Sequence, residues 1–384
     1  MKQLHVFTVF TTPESFFDGQ FKYLVDQGDE VMLVSSDGPG SADFVKRNGI
    51  RFEPVEMPRA LSPMAIMRAI KAISTIIKRE KPDVVFGHTP VGALCAMIAS
   101  RLCNVKKRVY YRHGLIYTTM KGVKRTIFRL EEKFVAGLAT DVINVSPSLS
   151  ELAVSDGLNS AKKNNVIGHG TCGGVDALEL FCPQIIDKEK RQELIDQYNI
   201  ADADIVFGFC GRICKDKGNV ELVDAFRLFQ SRHKDLKSKL ILIGHYDERD
   251  IMPAETVAEI EKSPDIIVTG MIEPHNIPVF YTLLDVFVFP SHREGFGMTV
   301  VEASAMEVPI LVSRSHGCVD SIVEHVTGEY IDLTPESICQ GMEQMLDSNK
   351  RHELGMNGRK MVMEWFNHQV MWPMVKDLYK KIMK

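Results

Sequence analysis

The sequence predicts an α/β protein of two domains, each a parallel sheet with helices on both faces. Three observations carry this. Short apolar runs rich in Val, Ile and Phe alternate with helix-spaced patterns, and that alternation demands crossover connections. The runs are hydrophobic almost throughout rather than at every second position, as befits strands covered on both sides. A chain of 384 residues exceeds one comfortable core, so the alternation should break once, and it does so between 171 and 200.

In the first half, strands are expected at Leu4–Phe10, Glu30–Ser35, Asp83–Gly87, Arg108–Arg112 and Asp141–Val145. Helical patterns fall at Ala65–Lys78 and Val91–Arg101. After Gly170 the periodicity is lost; 171–176 reads as a connector and 186–200 as a polar helix. A second series follows, with strands at Ile205–Cys210, Lys239–Ile243, Asp265–Val268, Val286–Phe289 and Ile310–Ser313. This places a first domain at 1–175, a linker at 176–200, a second domain at 201–360 and a terminal helix at 361–384. The terminal helix carries Trp365, Phe366, Val370, Met371, Trp372, Val375, Leu378 and Ile382 at spacings of three and four. That is one buried stripe, with an interruption expected at Pro373.

Composition excludes several classes. A net charge of −4 argues against a dedicated nucleic-acid binder. That average hides a basic tract: 101–135 holds ten Lys and Arg against Glu131 and Glu132. Eight cysteines show no disulfide spacing, and Cys210 and Cys214 have no second pair to complete a zinc site. Cys95, Cys103 and Cys210 sit in apolar runs and read as core residues of a cytoplasmic protein. The amino terminus does not read as a signal peptide, and Val91–Leu102, the longest apolar stretch, is too short to span a bilayer.

The chemistry concentrates in 288–302. A strand stops at Pro290, a polar loop follows, and Gly295 and Gly297 open a helical run from Met298 to Met306. Glycines before a helix let backbone N–H groups approach a ligand, and the helix N-terminus favours an anion. Glu294 and Glu302 bracket these glycines and can accept hydrogen bonds from hydroxyls. The pattern suits a ligand with phosphate in the middle and sugars at both ends. A second anchor, 207–218, also joins a strand to a helix, which starts near Asn219, and carries Gly211, Arg212, Lys217 and Gly218. Its glycines, with Gly208, lack dinucleotide-fingerprint spacing. Two fixed cations there can stabilise a bound anion. Asp202 and Asp204 match a metal-binding Asp-x-Asp pattern only superficially, in a solvated turn before a strand.

These two tracts resemble those of the retaining GT-B glycosyltransferases of family 4, over nearly the whole chain and most strongly in the second half. The resemblance implies two Rossmann-like domains facing a central cleft, with the last helix crossing back to the first domain. Glu294 is then expected on donor-sugar hydroxyls and Glu302 on the nucleotide ribose. Gly295 and the N–H groups of Phe296, Gly297 and Met298 should face phosphates and sugar. Gly211, Arg212 and Lys217 should hold the diphosphate. In the first domain the family places a histidine near the reactive carbon, matched by His113; His88 occupies a second position, near the acceptor or helping to shape the cleft, and Gly19 a loop for phosphate and acceptor. The implied reaction is metal-independent, cofactor-free, retaining transfer of a hexose or N-acetylhexosamine from a nucleotide-diphosphate sugar, UDP ahead of GDP. The implied acceptor is a hydroxyl, on an undecaprenyl-diphosphate-linked glycan of capsule or O-antigen synthesis. A nucleotide-sugar 2-epimerase on the same scaffold and a catalytically silent assembly partner are the alternatives.

From 121 to 138, Val123, Ile127, Leu130, Phe134 and Leu138 form a stripe expected to face the core. Lys121, Lys124, Arg125, Arg129 and Lys133 on the other faces are a candidate contact for anionic lipid at the inner face of the plasma membrane.

Overall fold

A computed structural model of the chain describes residues 1–58 and 62–384. They form two compact units: Met1–Gly174 together with His368–Lys384, and Val175–Asn367. The first unit holds strands β1 (Lys2–Val9), β2 (Glu30–Ser36), β3 (Arg51–Pro54), β4 (Val84–His88), β5 (Lys107–Arg112), β6 (Asp141–Asn144) and β7 (Asn164–Val166). They pair in the order β3-β2-β1-β4-β5-β6-β7, every pairing parallel. The second unit holds β8 (Ile205–Cys210), β9 (Ser238–Ile243), β10 (Ile266–Val268), β11 (Val286–Phe289), β12 (Ile310–Ser313) and β13 (Gly328–Ile331). Their order, β10-β9-β8-β11-β12-β13, is again wholly parallel. In both sheets the strand order reverses beside the first strand, β1 against β4 and β8 against β11. Loops leaving the carboxyl ends of such a pair diverge and open a ligand crevice.

Three strands escaped the sequence pattern: β3, β7 and β13. Each lies at a sheet edge. The central strands β4, β8, β11 and β12 are buried at every residue, whereas no residue of β3 or β7 is fully buried. An edge strand half in water lacks the continuous apolar run by which a buried one is recognised.

Two expectations are overturned. The carboxyl-terminal helical segment does not break at Pro373. Helices Ser348–Trp365 and His368–Met383 part at Phe366–Asn367, where Val175 donates its N–H to the Phe366 carbonyl at 2.8 Å. Pro373 sits in the second turn of the latter helix, so little of the hydrogen-bond ladder precedes it. That helix buries Met371, Val375, Tyr379 and Ile382 against the first unit, and its Lys376 pairs with buried Asp29.

The second correction concerns Gly122–Leu138. Its apolar stripe faces water: Val123, Ile127, Leu130 and Phe134 are 75%, 49%, 58% and 53% exposed. The face that packs inward carries Glu132, Val135 and Ala136. Glu132 can go inside because β5 offers partners. It accepts from the Tyr110 hydroxyl at 2.9 Å and from Arg112 Nε at 3.3 Å. Arg112, with no exposure, also donates to Asn144 at 2.8 Å and Asn159 at 3.1 Å, and its guanidinium lies 5.1 Å from the Tyr110 ring centre. A buried charge is tolerable only when paired and saturated in this way.

Candidate functional site

The second unit gathers its predicted residues on two loops at the carboxyl ends of adjacent strands. β8 leads through Gly211 and Arg212 into a short turn, Lys215–Lys217, and then the helix Asn219–Arg232. β11 leads through Pro290 to Gly297 and then the helix Met298–Ala305. Gly218 has φ +70° and its missing Cβ would meet the Pro290 carbonyl oxygen, so glycine is what lets the two loops touch. Asp216 ties them further, accepting from Arg293 at 2.7 Å, while its carbonyl takes the His292 N–H at 3.0 Å.

Across this junction Lys217 pairs with Glu294, the side chains 15% and 14% exposed, and the ammonium also lies 5.9 Å from the Phe289 ring centre. Arg212, about half exposed, pairs with Asp247. Both cations thus hold carboxylate partners that an anionic ligand would have to replace. Gly297 caps the second helix with φ +85°, and the Val300 N–H returns to its carbonyl at 3.0 Å. Phe296 is buried and packs edge-on against Phe366, which leaves the 295–298 backbone, not the ring, as its possible contribution. Met298 opens the helix. Glu302, one turn on, is partly buried and accepts from the Tyr281 hydroxyl at 3.0 Å. Burial pushes its carboxyl up to about 7, the hydroxyl pulling the other way.

Three supporting residues gave no sequence signal. Tyr281 aims Glu302 from a separate helix. Asp247 meets Arg212 from beyond β9. Gly317 lets the loop after β12 cross the carbonyls of Glu294 and Gly295, where a Cβ would come within 2.7 Å. Each acts through space from a part of the chain with no motif of its own.

In the first unit, His113 follows β5 and is half-buried, its ring 5.1 Å from Tyr111 and 6.4 Å from Phe16. His88 ends β4 but has no exposure; it lies between Phe7 and Tyr111 and hydrogen-bonds His113 at 3.0 Å. Of its two expected roles, contact with the acceptor and shaping of the site, its burial behind His113 favours the second. Gly19 has φ +74°, its Cβ position is filled by Trp372, and its N–H is taken by Asp18 and Asn48 at 3.0 Å each. Packing accounts for this glycine, and no N–H remains there for a phosphate. Lys121, Lys124 and Arg125 stand exposed at the start of the helix Gly122–Leu138, while exposed Arg129 reaches the Asp156 carbonyl.

Two wholly parallel α/β units, the second with paired cations and carboxylates on its switch-point loops, define a GT-B glycosyltransferase. The architecture is shared with HepE of Anabaena solved with UDP and glucose, at a TM-score of 0.78, 16% identity and 99% coverage of both chains. The family model for glycosyl transferases group 1 matches residues 190–361, and that for glycosyl transferase 4-like domains matches 5–146. Over its full length the chain is 30% identical to the capsular polysaccharide biosynthesis glycosyltransferase CapM of Staphylococcus aureus, covering 99% of that protein. It is 22% identical to the UDP-Gal:alpha-D-GlcNAc-diphosphoundecaprenol alpha-1,3-galactosyltransferase of Escherichia coli, over 94% of this chain and 91% of that one. The chain belongs to the glycosyl transferases group 1 family and is a glycosyltransferase.

Proposed function

We propose that the protein transfers a hexose or N-acetylhexosamine, with retention, from a UDP-sugar to a hydroxyl of a polyprenyl-diphosphate-linked glycan in surface polysaccharide assembly. The observation that carries this is the Lys217–Glu294 junction with Arg212 beside a glycine-capped helix. The names of the Staphylococcus and Escherichia relatives support the pathway and the acceptor class. Arg212 and Lys217 exchange their carboxylate partners for the diphosphate, and the Gly297–Met298 backbone adds its dipole. Glu302 takes the ribose hydroxyls and Glu294, released by Lys217, the sugar hydroxyls. His113 forms a hydrogen bond with a sugar hydroxyl. As the anomeric C–O bond to the diphosphate breaks, the acceptor oxygen bonds the same carbon from the same face. Its proton passes to the departing phosphate oxygen. Two fixed cations offset the charge that develops there, so no metal is required of this site.

The test is transfer from a panel of UDP- and GDP-sugars to a short polyprenyl-diphosphate glycan, with EDTA present. The product anomer is read by NMR. An inverted anomer would refute retention, and loss of turnover in EDTA would refute metal independence.

We further assign the helix Gly122–Leu138 to an anionic bilayer. Its outward stripe of Val123, Ile127, Leu130 and Phe134 is flanked by exposed Lys121, Lys124, Arg125 and Lys133, the composition of a helix that lies in a headgroup layer. No helix among the described residues is long and apolar enough to cross a membrane. Each basic residue near an anionic surface adds about 1 kcal/mol. Flotation with phosphatidylglycerol vesicles should recover the protein, and phosphatidylcholine vesicles should not. Replacing Ile127 and Phe134 with Ser, or reversing Lys121, Lys124 and Arg125 to Glu, should abolish recovery. Unchanged flotation, or a concentration-dependent dimer through this face, would defeat the assignment.

A further inference from the structure

Behind His113 runs a chain of buried polar groups that sugar transfer as described does not use. β1, β4 and β5 lie side by side, and each contributes one histidine at or near its carboxyl half. His113 Nε2 is 3.0 Å from His88 Nδ1, His88 Nε2 is 3.0 Å from His5 Nδ1, and His5 Nε2 is 3.0 Å from Gln3 Oε1. Gln3 Nε2 then donates to Asp29 Oδ2 at 2.7 Å. Asp29 is held by the Lys376 ammonium. Gln3, His5 and His88 have no exposure. The rings are packed among Phe7, Phe17, Phe21, Phe86, Tyr111 and Tyr379, so the titratable neighbours are the two tyrosines. Of the three histidines, only His113 reaches the surface.

Every link uses one N–H and one lone pair, so the direction of the whole chain is set at one end. A carboxylate paired with an ammonium group only accepts. Gln3 must therefore turn its NH2 toward Asp29 and its oxygen toward His5. His5 then carries its proton on Nε2 and accepts at Nδ1, His88 repeats the pattern, and so does His113. The logic requires each imidazole to be neutral. Burial does this, pushing His5 down to about 3, His113 to about 4 and His88 well below its ordinary value.

We propose that Asp29, Gln3, His5 and His88 are positioning residues that lock His113 in the Nε2–H tautomer, so that Nδ1 faces the substrates as an acceptor for a sugar hydroxyl. The proposal rests on the reading of His113 as a sugar-facing residue. It adds what decides which hydrogen bond that residue can make. With the chain reversed, the same ring would present a donor and would repel the same hydroxyl proton.

The experiment is 15N NMR of the full-length protein labelled at histidine, without ligand. His113 is assigned by difference with His113→Asn. Hydrolysis of UDP-glucose, UDP-galactose and UDP-N-acetylglucosamine is measured alongside. The wild type should show His113 protonated on Nε2 alone. Asp29→Asn, which can donate as well as accept, and Gln3→Met, which cuts the chain, should give mixed tautomers. Each should lower kcat about tenfold or more, one hydrogen bond's worth, with KM for the best donor little changed. Val375→Ala loosens the same terminal helix without touching the chain and should lower Tm while leaving the tautomer unaltered. A wild-type His113 protonated on Nδ1, or a tautomer indifferent to Asp29 and Gln3, overturns the relay. A tautomer that shifts while kcat stays constant leaves the relay's wiring intact and overturns the placement of His113 at the sugar.

Discussion

Two ion pairs in this molecule each join a basic side chain to a glutamate, yet they differ in kind. Arg112–Glu132 in the first unit is sealed, with side chains 0% and 6% exposed. Arg112 spends its donors on Glu132, Asn144 and Asn159, and Glu132 accepts from Tyr110 as well. Lys217–Glu294 in the second unit is part-exposed and joins two loops at the end of a sheet. An ammonium keeps further donors beyond the one Glu294 takes. A pair whose partners are all fixed inside the fold holds structure. A pair that can exchange one partner for an incoming anion can bind.

The sharpest way to break that contrast is to remove one member of each pair. Glu132→Ala leaves the Arg112 charge buried and uncompensated and frees the inner face of the helix Gly122–Leu138. The expected cost is about 3–5 kcal/mol of unfolding free energy, read by urea titration. Survivors at low temperature should retain nucleotide affinity. Lys217→Ala should do the opposite. Removing one donor aimed at developing negative charge costs about 10²–10³ in kcat. Stability should fall by less than in Glu132→Ala, because Glu294, 14% exposed against 6% for Glu132, keeps more contact with water. If Lys217→Ala unfolds the protein while Glu132→Ala spares stability and abolishes turnover, the two assignments are reversed.

The same contrast explains what was legible in the sequence. The strand-loop-helix tracts around Arg212 and Glu294 are local, so spacing alone marks each as a charged loop between a strand and a helix; that the two loops are neighbours follows from the pairing of β8 with β11. Central strands announced themselves because both faces are dry. The helix Gly122–Leu138 departs from its pattern because an apolar stripe marks the core-facing side only by default. Apolar residues are not obliged to be inside. What decided the orientation was a demand from β5, twenty residues away, where Arg112 and Tyr110 require a carboxylate. The histidine chain was invisible for a related reason. His5, His88 and His113 meet only through the order in which β1, β4 and β5 pair, which no local pattern encodes.

Glu302 supplies a third case and a smaller effect. Its side chain accepts from the Tyr281 hydroxyl and meets no cation among the described residues, and burial lifts its carboxyl from 4.5 to about 7. An acid whose folded pKa is raised holds its proton more tightly when folded. Its contribution is therefore full below pH 4.5 and is lost as pH rises through about 7, the reverse of an ion-paired carboxylate. Glu302→Gln removes the titration and keeps an acceptor for Tyr281. The variant should match the wild type near pH 4.5 and overtake it in stability as pH climbs, by about 1–3 kcal/mol above pH 7. Urea midpoints across that range read the difference directly. A saturating nucleotide sugar should shrink it, because ribose hydroxyls donating to the ionised carboxylate return the partners it lacks. A stability difference that is flat with pH would mean that burial does not hold the Glu302 proton, and would remove the ribose contact from the proposed reaction.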